Sequence, residues 1–218
     1  MVHNYGMAKD IKSTGLSNIE QRYRFPKRKD GQKTFSNILK VAKNLFAANS
    51  FSSTSINQII EESKIATGTF YLYFDDKLAV YQYLLVEYSK TIKGRIKKAT
   101  ESCQTREEIE RAGIRAFLEL ALEDPLCYKI IWESMLVDWD SFYDYYSSFA
   151  RSYIKNLLIA ESKEQIRNDI DLETLSYCLM GISNFVGLQV LFKENISREN
   201  LDKIVDSVVL ILKKGFLK

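Results

Sequence analysis

Histidine is almost missing from this 218-residue chain, and the one copy, His3, stands in the first few residues. Ser-His-Asp triads, histidine-ligated zinc and histidine general-base chemistry are therefore poorly provided for. Proline and glycine are also scarce, at 2 and 9 residues. A β-sandwich or barrel of this length needs far more turn punctuation, so the composition predicts an all-α fold. The three cysteines, Cys103, Cys127 and Cys178, are odd in number and show no C-x-x-C spacing. They are expected to be reduced thiols buried as small hydrophobes. No N-terminal apolar stretch resembles a signal peptide, and no run approaches the ~18 apolar residues of a membrane span. A soluble cytoplasmic protein with no membrane partner is expected.

What is present is a core-forming share of apolar residues, 46%, and an uneven charge. Residues 1–80 carry 12 basic and 7 acidic side chains, and the rest 19 and 21. A basic front on a mildly acidic body is the distribution of a chain whose front alone meets a polyanion. The densest basic cluster is Arg22, Arg24, Lys27, Arg28 and Lys29, with Lys33 behind it. Residues 1–33 lack periodicity and are expected to be a flexible basic extension, with Arg28 and Lys33 able to reach phosphates.

From Thr34 the pattern becomes helical: Phe35, Ile38, Leu39, Ala42, Leu45 and Phe46 repeat at i, i+3, i+4 and i+7. That helix is expected to stop near Ala48-Asn49-Ser50. Ser55 and Gln58 have capping-box spacing, with Thr54 as a rival cap, ahead of a short helix ending near Ser63. A third short helix is expected over about Thr67–Phe74. Asp75 or Asp76 then caps a long helix from about Lys77 to Thr100. Further helices are read at 106–123, from Pro125 to about Met135, along an aromatic stripe from Trp139 to Leu157, at 171–193, and from Leu201 to Leu212 after a turn at Asn195–Arg198.

Two short amphipathic helices joined by a tight turn and preceded by a packing helix are what a helix-turn-helix needs. Ile59, Ile60, Ile65 and Phe70 would lock the pair onto the preceding helix. Gly68 and Thr69 leave the start of the third helix open to a duplex. The run Gly68-Thr69-x-Tyr71-x-Tyr73-Phe74-x-x-Lys77, within residues 34–80, closely resembles the helix-turn-helix of the tetracycline-repressor (TetR) family of regulators. The resemblance implies base contacts from Thr67, Gly68 and Thr69. It also implies a base or phosphate contact from Asn57, and backbone contacts from Thr54, Ser55, Tyr71, Tyr73 and Lys77. Three positions depart from the family pattern. Ser50 stands where glycine usually precedes an aromatic, Leu72 where His or Trp is frequent, and Thr67 is a short reader.

The resemblance implies a DNA-binding domain at 34–80 and a helical ligand-binding and dimerisation domain at 81–218, about nine helices in all. One such head makes few base contacts, so a homodimer on a roughly palindromic double-stranded operator is expected, with the two heads ~34–36 Å apart. The last two helices carry more apolar surface than one face requires. Leu172, Leu175, Leu179, Ile182 and Val186 are assigned to the chain's own core. Phe185, Leu188, Phe192, Leu201, Val205, Val208 and Leu212 are assigned to a partner, with Gly181 and Gly187 allowing close approach. Phe117, Glu119, Leu120, Glu123, Trp132, Trp139, Phe142, Tyr143 and Tyr146 are candidate lining of a small-molecule effector pocket. The resemblance implies that a ligand there shifts the long helix and releases DNA.

The function expected is a sequence-specific repressor released by a small, largely apolar or aromatic ligand, with no cofactor and no metal. An architectural or division-control DNA binder on the same head is the alternative. A helical enzyme would have to work with carboxylate pairs such as Asp138/Asp140 and Glu119/Glu123. Those carboxylates beside aromatic rings would also suit a lipophilic cation.

Overall fold

The computed structural model describes residues 16–193 and 196–214, so His3 and Asn195 lie outside the described residues. Within them a 3-10 turn, Leu16–Gln21, precedes nine α-helices. They are α1 (Lys29–Ser53), α2 (Ile56–Ser63), α3 (Thr67–Tyr73), α4 (Lys77–Thr100), α5 (Arg106–Glu123), α6 (Pro125–Val137), α7 (Trp139–Ser162), α8 (Leu172–Leu191) and α9 (Arg198–Lys214). Extended pairing among the described residues is limited to one antiparallel bridge, Tyr23 with Phe74. The chain divides into two compact units, residues 1–86 with 130–146, and 87–129 with 147–218.

In the first unit α1 starts at Lys29, five residues before the apolar periodicity begins, because its first turn faces solvent with Lys29, Asp30 and Lys33 exposed. Residues 22–24 are not loose either. The Arg24 N–H donates to the Tyr73 carbonyl at 2.8 Å, and the Asp75 N–H donates to the Arg22 carbonyl at 3.1 Å. Around Phe35 the rings of Tyr23, Phe25, Tyr73, Phe74 and Tyr83 gather at centroid distances of 4.7–6.4 Å. Edge-to-face and offset contacts of this kind add to area burial, and they join α1, α3 and α4 into one core. Phe70 and Phe74 are completely buried in it.

In the second unit Ile114 and Leu118 of α5 pack with Val190 of α8 and with Leu201, Val205, Val208 and Val209 of α9. This corrects the assignment of Leu201, Val205 and Val208 to a partner: each is at most 5% exposed inside its own unit. Leu212 is partly buried against the same cluster. The α9 periodicity has two apolar faces, and only Leu210 and Ile211 lie on the outer one. On α8, Leu172 and Leu179 turn inward, while Phe185 (66% exposed) and Phe192 (80%) stand in solvent and Leu188 is half-buried. Gly187 has an internal reason. A Cβ there would meet the Tyr128 hydroxyl at 2.5 Å, and that hydroxyl donates to the Asn184 carbonyl. Gly181 has open space.

Cysteine burial is likewise uneven: Cys127 is buried, Cys103 half-buried and Cys178 exposed. Cys178 belongs to the outer face of α8 beside the exposed Tyr177, which overrides its apolar preference. Among the described residues α8 is also the one helix long and apolar enough to cross a membrane by length and composition. Glu173, Thr174, Ser176, Ser183, Asn184 and Gln189 interrupt it, so it holds no unbroken apolar run of span length.

Candidate nucleic-acid interface

The head is built around three turns. At the first, Ser50 adopts φ 73°, ψ 162°, a backbone that favours glycine, and α1 kinks there as the sequence break anticipates. The serine makes the bend in glycine's place. Its carbonyl accepts the Thr54 hydroxyl at 2.8 Å, while its own Oγ lies 3.0 Å from Ser52 Oγ. Thr54 is only 1% exposed, so its expected role in gripping a DNA backbone is corrected to an internal one.

Ser55, not Thr54, caps α2. Its Oγ accepts the Gln58 N–H at 3.2 Å, and Gln58 Oε1 accepts the Ser55 N–H at 2.7 Å, closing a capping box. Ser55 and Asn57 are both exposed. At the second turn Lys64 takes the left-handed conformation, φ 55°. Ile65 N–H then reaches back to the Ile60 carbonyl at 3.3 Å, and Asn37 of α1 donates to the Ser63 carbonyl at 3.0 Å. The end of α2 is satisfied, and α3 leaves the turn at a set angle.

α3 offers Thr67, Gly68, Tyr71 and Leu72 to solvent, with Thr69 half-buried. Nothing lies within 4 Å of the position a Gly68 Cβ would take, so a duplex can approach its backbone. Tyr71 is 48% exposed. Tyr73 is more constrained: its ring meets Phe35 edge-on at 5.8 Å, and its hydroxyl would sit 3.2 Å from a Cβ on Gly31. A Cβ on Gly31 would meet Pro26 Cβ still closer, at 2.8 Å, so Gly31 makes room for the Pro26 ring and the Tyr73 hydroxyl together.

The third turn, before α4, holds Asp75 and Asp76. Asp76 is the cap, with Oδ1 accepting the Ala79 N–H at 2.8 Å and Oδ2 accepting from Arg22 at 2.7 Å. Asp75 pairs with Arg24 at 2.8 Å. Two of the five clustered cations are thus neutralised internally. Among the described residues Lys27, Arg28, Lys29 and Lys33 have no ion-pair partner and are exposed.

Lys77 points inward. Its Nζ donates to the Phe51 carbonyl at 2.7 Å and the Thr54 carbonyl at 2.6 Å, and stands 4.2 Å from the centroid of the Phe51 ring. In this geometry the ammonium closes the α1–α2 turn instead of projecting toward a phosphate. Burial pushes its pKa below the ordinary lysine range, and the nearby Glu133 charge opposes that shift. Glu133 of α6 accepts the Phe51 N–H at 2.7 Å, so the same turn is held from both sides. Neither Glu133 nor this use of Lys77 was legible in the sequence. A glutamate 82 positions from its partner leaves no spacing signal.

A second polar chain runs through this unit. Arg22 donates to Gln82 Oε1 at 2.7 Å, and the buried Gln82 donates to Asp138 at 2.9 Å and Ser141 at 3.1 Å. It links the Asp76 cap to the α6–α7 corner. Gln82 was not singled out by sequence, since a glutamine in a helical pattern reads as surface.

The candidate pocket residues divide between the two units. Trp132, Trp139, Phe142, Tyr143 and Tyr146 belong to the first, with Phe142 4.8 Å from Tyr146 and 5.5 Å from Trp139 by ring centroid. Phe117, Glu119, Leu120 and Glu123 belong to the second, where Phe117 lies 6.0 Å from Tyr128. Glu119 is paired with Arg115 at 3.0 Å and Glu123 with Arg95 at 2.5 Å. Asp138 accepts from Gln82 and Ser141. Of the three carboxylates offered for a cationic ligand, Glu119 and Glu123 each already face an arginine, and Asp138 is held by neutral hydrogen-bond donors.

The described residues include no group of three or more His, Cys, Asp or Glu side chains placed to hold a metal ion. Residues 38–84 match the family model of bacterial regulatory proteins, tetR family. A Bacillus subtilis (strain 168) protein described as the uncharacterized HTH-type transcriptional regulator YdgC is 22% identical over 158 residues, 70% of this chain and 78% of that protein. A solved TetR-family transcriptional regulator from Syntrophomonas wolfei superposes with a TM-score of 0.74 at 21% identity, covering 85% of this chain and 97% of that one. The transcriptional regulator FadR from Bacillus subtilis, in complex with stearoyl-CoA, superposes with a TM-score of 0.71 at 17% identity, covering 84% and 100%.

Proposed function

Since the chain belongs to the tetR family of DNA-binding transcriptional regulators, we propose that it is a homodimeric repressor that leaves a palindromic operator when a small, largely apolar ligand binds. The observation that carries the DNA contact is the outer face of α3. Thr67 and Gly68 are exposed, nothing lies within 4 Å of a Gly68 Cβ, and the same unit exposes Ser55 at the start of α2 and the cations Lys27, Arg28, Lys29 and Lys33. α3 supplies base edges with partners, and the cations and Ser55 supply phosphate contacts. The ligand class is supported by the arginine pairing of Glu119 and Glu123 and by the rings of Trp139, Phe142 and Tyr146 gathered within the first unit. The stearoyl-CoA held by the Bacillus subtilis FadR is a ligand with a large apolar part and agrees with that class.

A homodimer follows from α8, where Tyr177, Phe185 and Phe192 are 43%, 66% and 80% exposed along one face. Such a stripe at a symmetric contact buries itself against its own copy.

The test is a salt-titrated binding assay on an operator selected from random duplexes. Affinity is expected to fall steeply and log-linearly with salt. Arg28→Ala should weaken binding evenly across sequences and reduce the salt slope by about one. A flat salt response, or no enriched sequence, would end the reading. An architectural binder would enrich no palindrome and would stay bound in the presence of any apolar ligand.

A further inference from the structure

The sequence of α3, Thr67-Gly68-Thr69-Phe70-Tyr71-Leu72-Tyr73, contains no Arg, Lys, Asn or Gln. It therefore lacks the side chains that bind guanine or adenine edges with two parallel hydrogen bonds. Base discrimination from this helix must come from hydroxyls and from apolar contact. Leu72 is the side chain placed for the second. At 64% exposure it is the most exposed large apolar residue between 16 and 86 among the described residues. Phe70 and Phe74, on the opposite side of α3, are completely buried and hold the helix to the head without it.

Leu72 also has a receptive neighbour. In a helix each side chain leans toward the turn N-terminal to its own Cα, so Leu72 shares a face with Gly68, four residues earlier. Gly68 brings no side chain, and nothing, Leu72 included, lies within 4 Å of where its Cβ would be. The face beside Leu72 is therefore open backbone with room for a methyl-sized group. In the major groove one base alone presents an apolar group of that size, thymine with its C5-methyl. Cytosine presents an amino donor at the neighbouring position, and against a leucine that donor would lose its water without gaining an acceptor.

Resting on the DNA-binding reading above, we propose that Leu72, beside the open backbone at Gly68, is a specificity-determining residue that selects thymine in each operator half-site through its C5-methyl. Lone apolar side chains on a protein surface need no explanation. This one stands on a seven-residue helix whose outward positions are otherwise a glycine and hydroxyl-bearing residues, on the side away from the core.

The experiment uses the full chain and the selected operator, replacing each thymine in turn by deoxyuridine. That change removes the methyl and leaves base pairing and phosphates as they were. One thymine per half-site is expected to show a loss of about four-fold, the ratio that burying a single methyl supports. Leu72→Ala removes the contact from both half-sites, so it should weaken the parent operator by roughly sixteen-fold and bind thymine and deoxyuridine equally at that position. Its salt slope should match the unmodified protein, since no phosphate contact changes. Unaltered thermal unfolding of Leu72→Ala would show that the head is intact. Indifference to deoxyuridine at every thymine, or a full thymine preference surviving in Leu72→Ala, would overturn the assignment while leaving the DNA-binding reading in place. Failure to enrich any sequence would overturn both.

Discussion

The head and the α5–α8–α9 body handle their apolar groups in opposite ways. In the head, rings from α1, α3 and α4 converge on Phe35, and α3 presents hydroxyls, a glycine and one leucine outward. In the body, aliphatic side chains of α5, α8 and α9 fill the interior, while α8 keeps Phe185 and Phe192 in solvent. Charges differ as well. The head uses ions to tie turns, as with Lys77 on two carbonyls and Asp76 on the Ala79 N–H. The body lays most of them across helix surfaces, pairing Arg111 with Asp206, Arg115 with Asp202 and Lys213 with Glu107, and buries one pair, Arg106 with Glu110. Surface pairs of that kind each contribute roughly 0–1 kcal/mol, so the body's stability rests on its aliphatic core. One region keeps an outer surface of cations and hydroxyls; the other keeps large apolar side chains of α8 in solvent.

The sharpest way to break this contrast is at the centre of the aromatic cluster. Phe35→Ala should destabilise the head by about 3–5 kcal/mol and abolish operator binding. Denaturation followed through head fluorescence checks the first effect and gel retardation the second. Next in size is the double substitution Phe185→Glu with Phe192→Glu. It should yield a monomer by sedimentation with unchanged helical circular dichroism, and an operator affinity lower by roughly 10²–10³-fold, since two linked half-sites become one.

Lys77→Met keeps the aliphatic stem beside Phe51 but removes the ammonium from two carbonyls. A loss of about 1.5–3 kcal/mol in chemical denaturation is expected, because these are charge-assisted bonds. A protein equally stable with methionine would show that the turn closes without this ion.

The smallest effect concerns acid. Asp171 is held below its ordinary range by the Thr174 N–H, and Glu108 by the Gln104 and Thr105 N–H groups. A depressed carboxylate adds stability that is whole above its unfolded pKa and is lost as pH falls through the folded one. The body should therefore soften only below pH of about 4, and Asp171→Asn should flatten that acid limb. An acid limb unchanged in the variant would remove the cap from the account.

How much was legible in the chain varies with the range of the interaction. The capping pair Ser55/Gln58, the start of α4 after Asp76 and the end of α5 before Pro125 are local events, and the sequence marks each within a residue or two. Ser50 was legible as a break, while its positive φ was not, because serine seldom adopts one. Thr54 and Lys77 have the residue types of DNA ligands, and only their burial and partners show them turned inward. The apolar period of α9 was plain, yet period alone cannot say which of two apolar faces meets the chain's own core. Leu201, Val205 and Val208 were misassigned for that reason.

Taken by itself, the sequence settled the helical class, the order and approximate limits of the helices, and the place of the reading head. These follow from periodicity, capping chemistry and the scarcity of turn residues, all of which act over a few positions. Tertiary structure alone decided that Arg22 and Arg24 are neutralised by Asp76 and Asp75, that Glu133 braces the turn at Phe51, and that Leu72 is left bare beside Gly68. Those facts depend on groups tens of residues apart meeting at hydrogen-bond distance, and on which side of a helix the core already occupies. No local pattern encodes either.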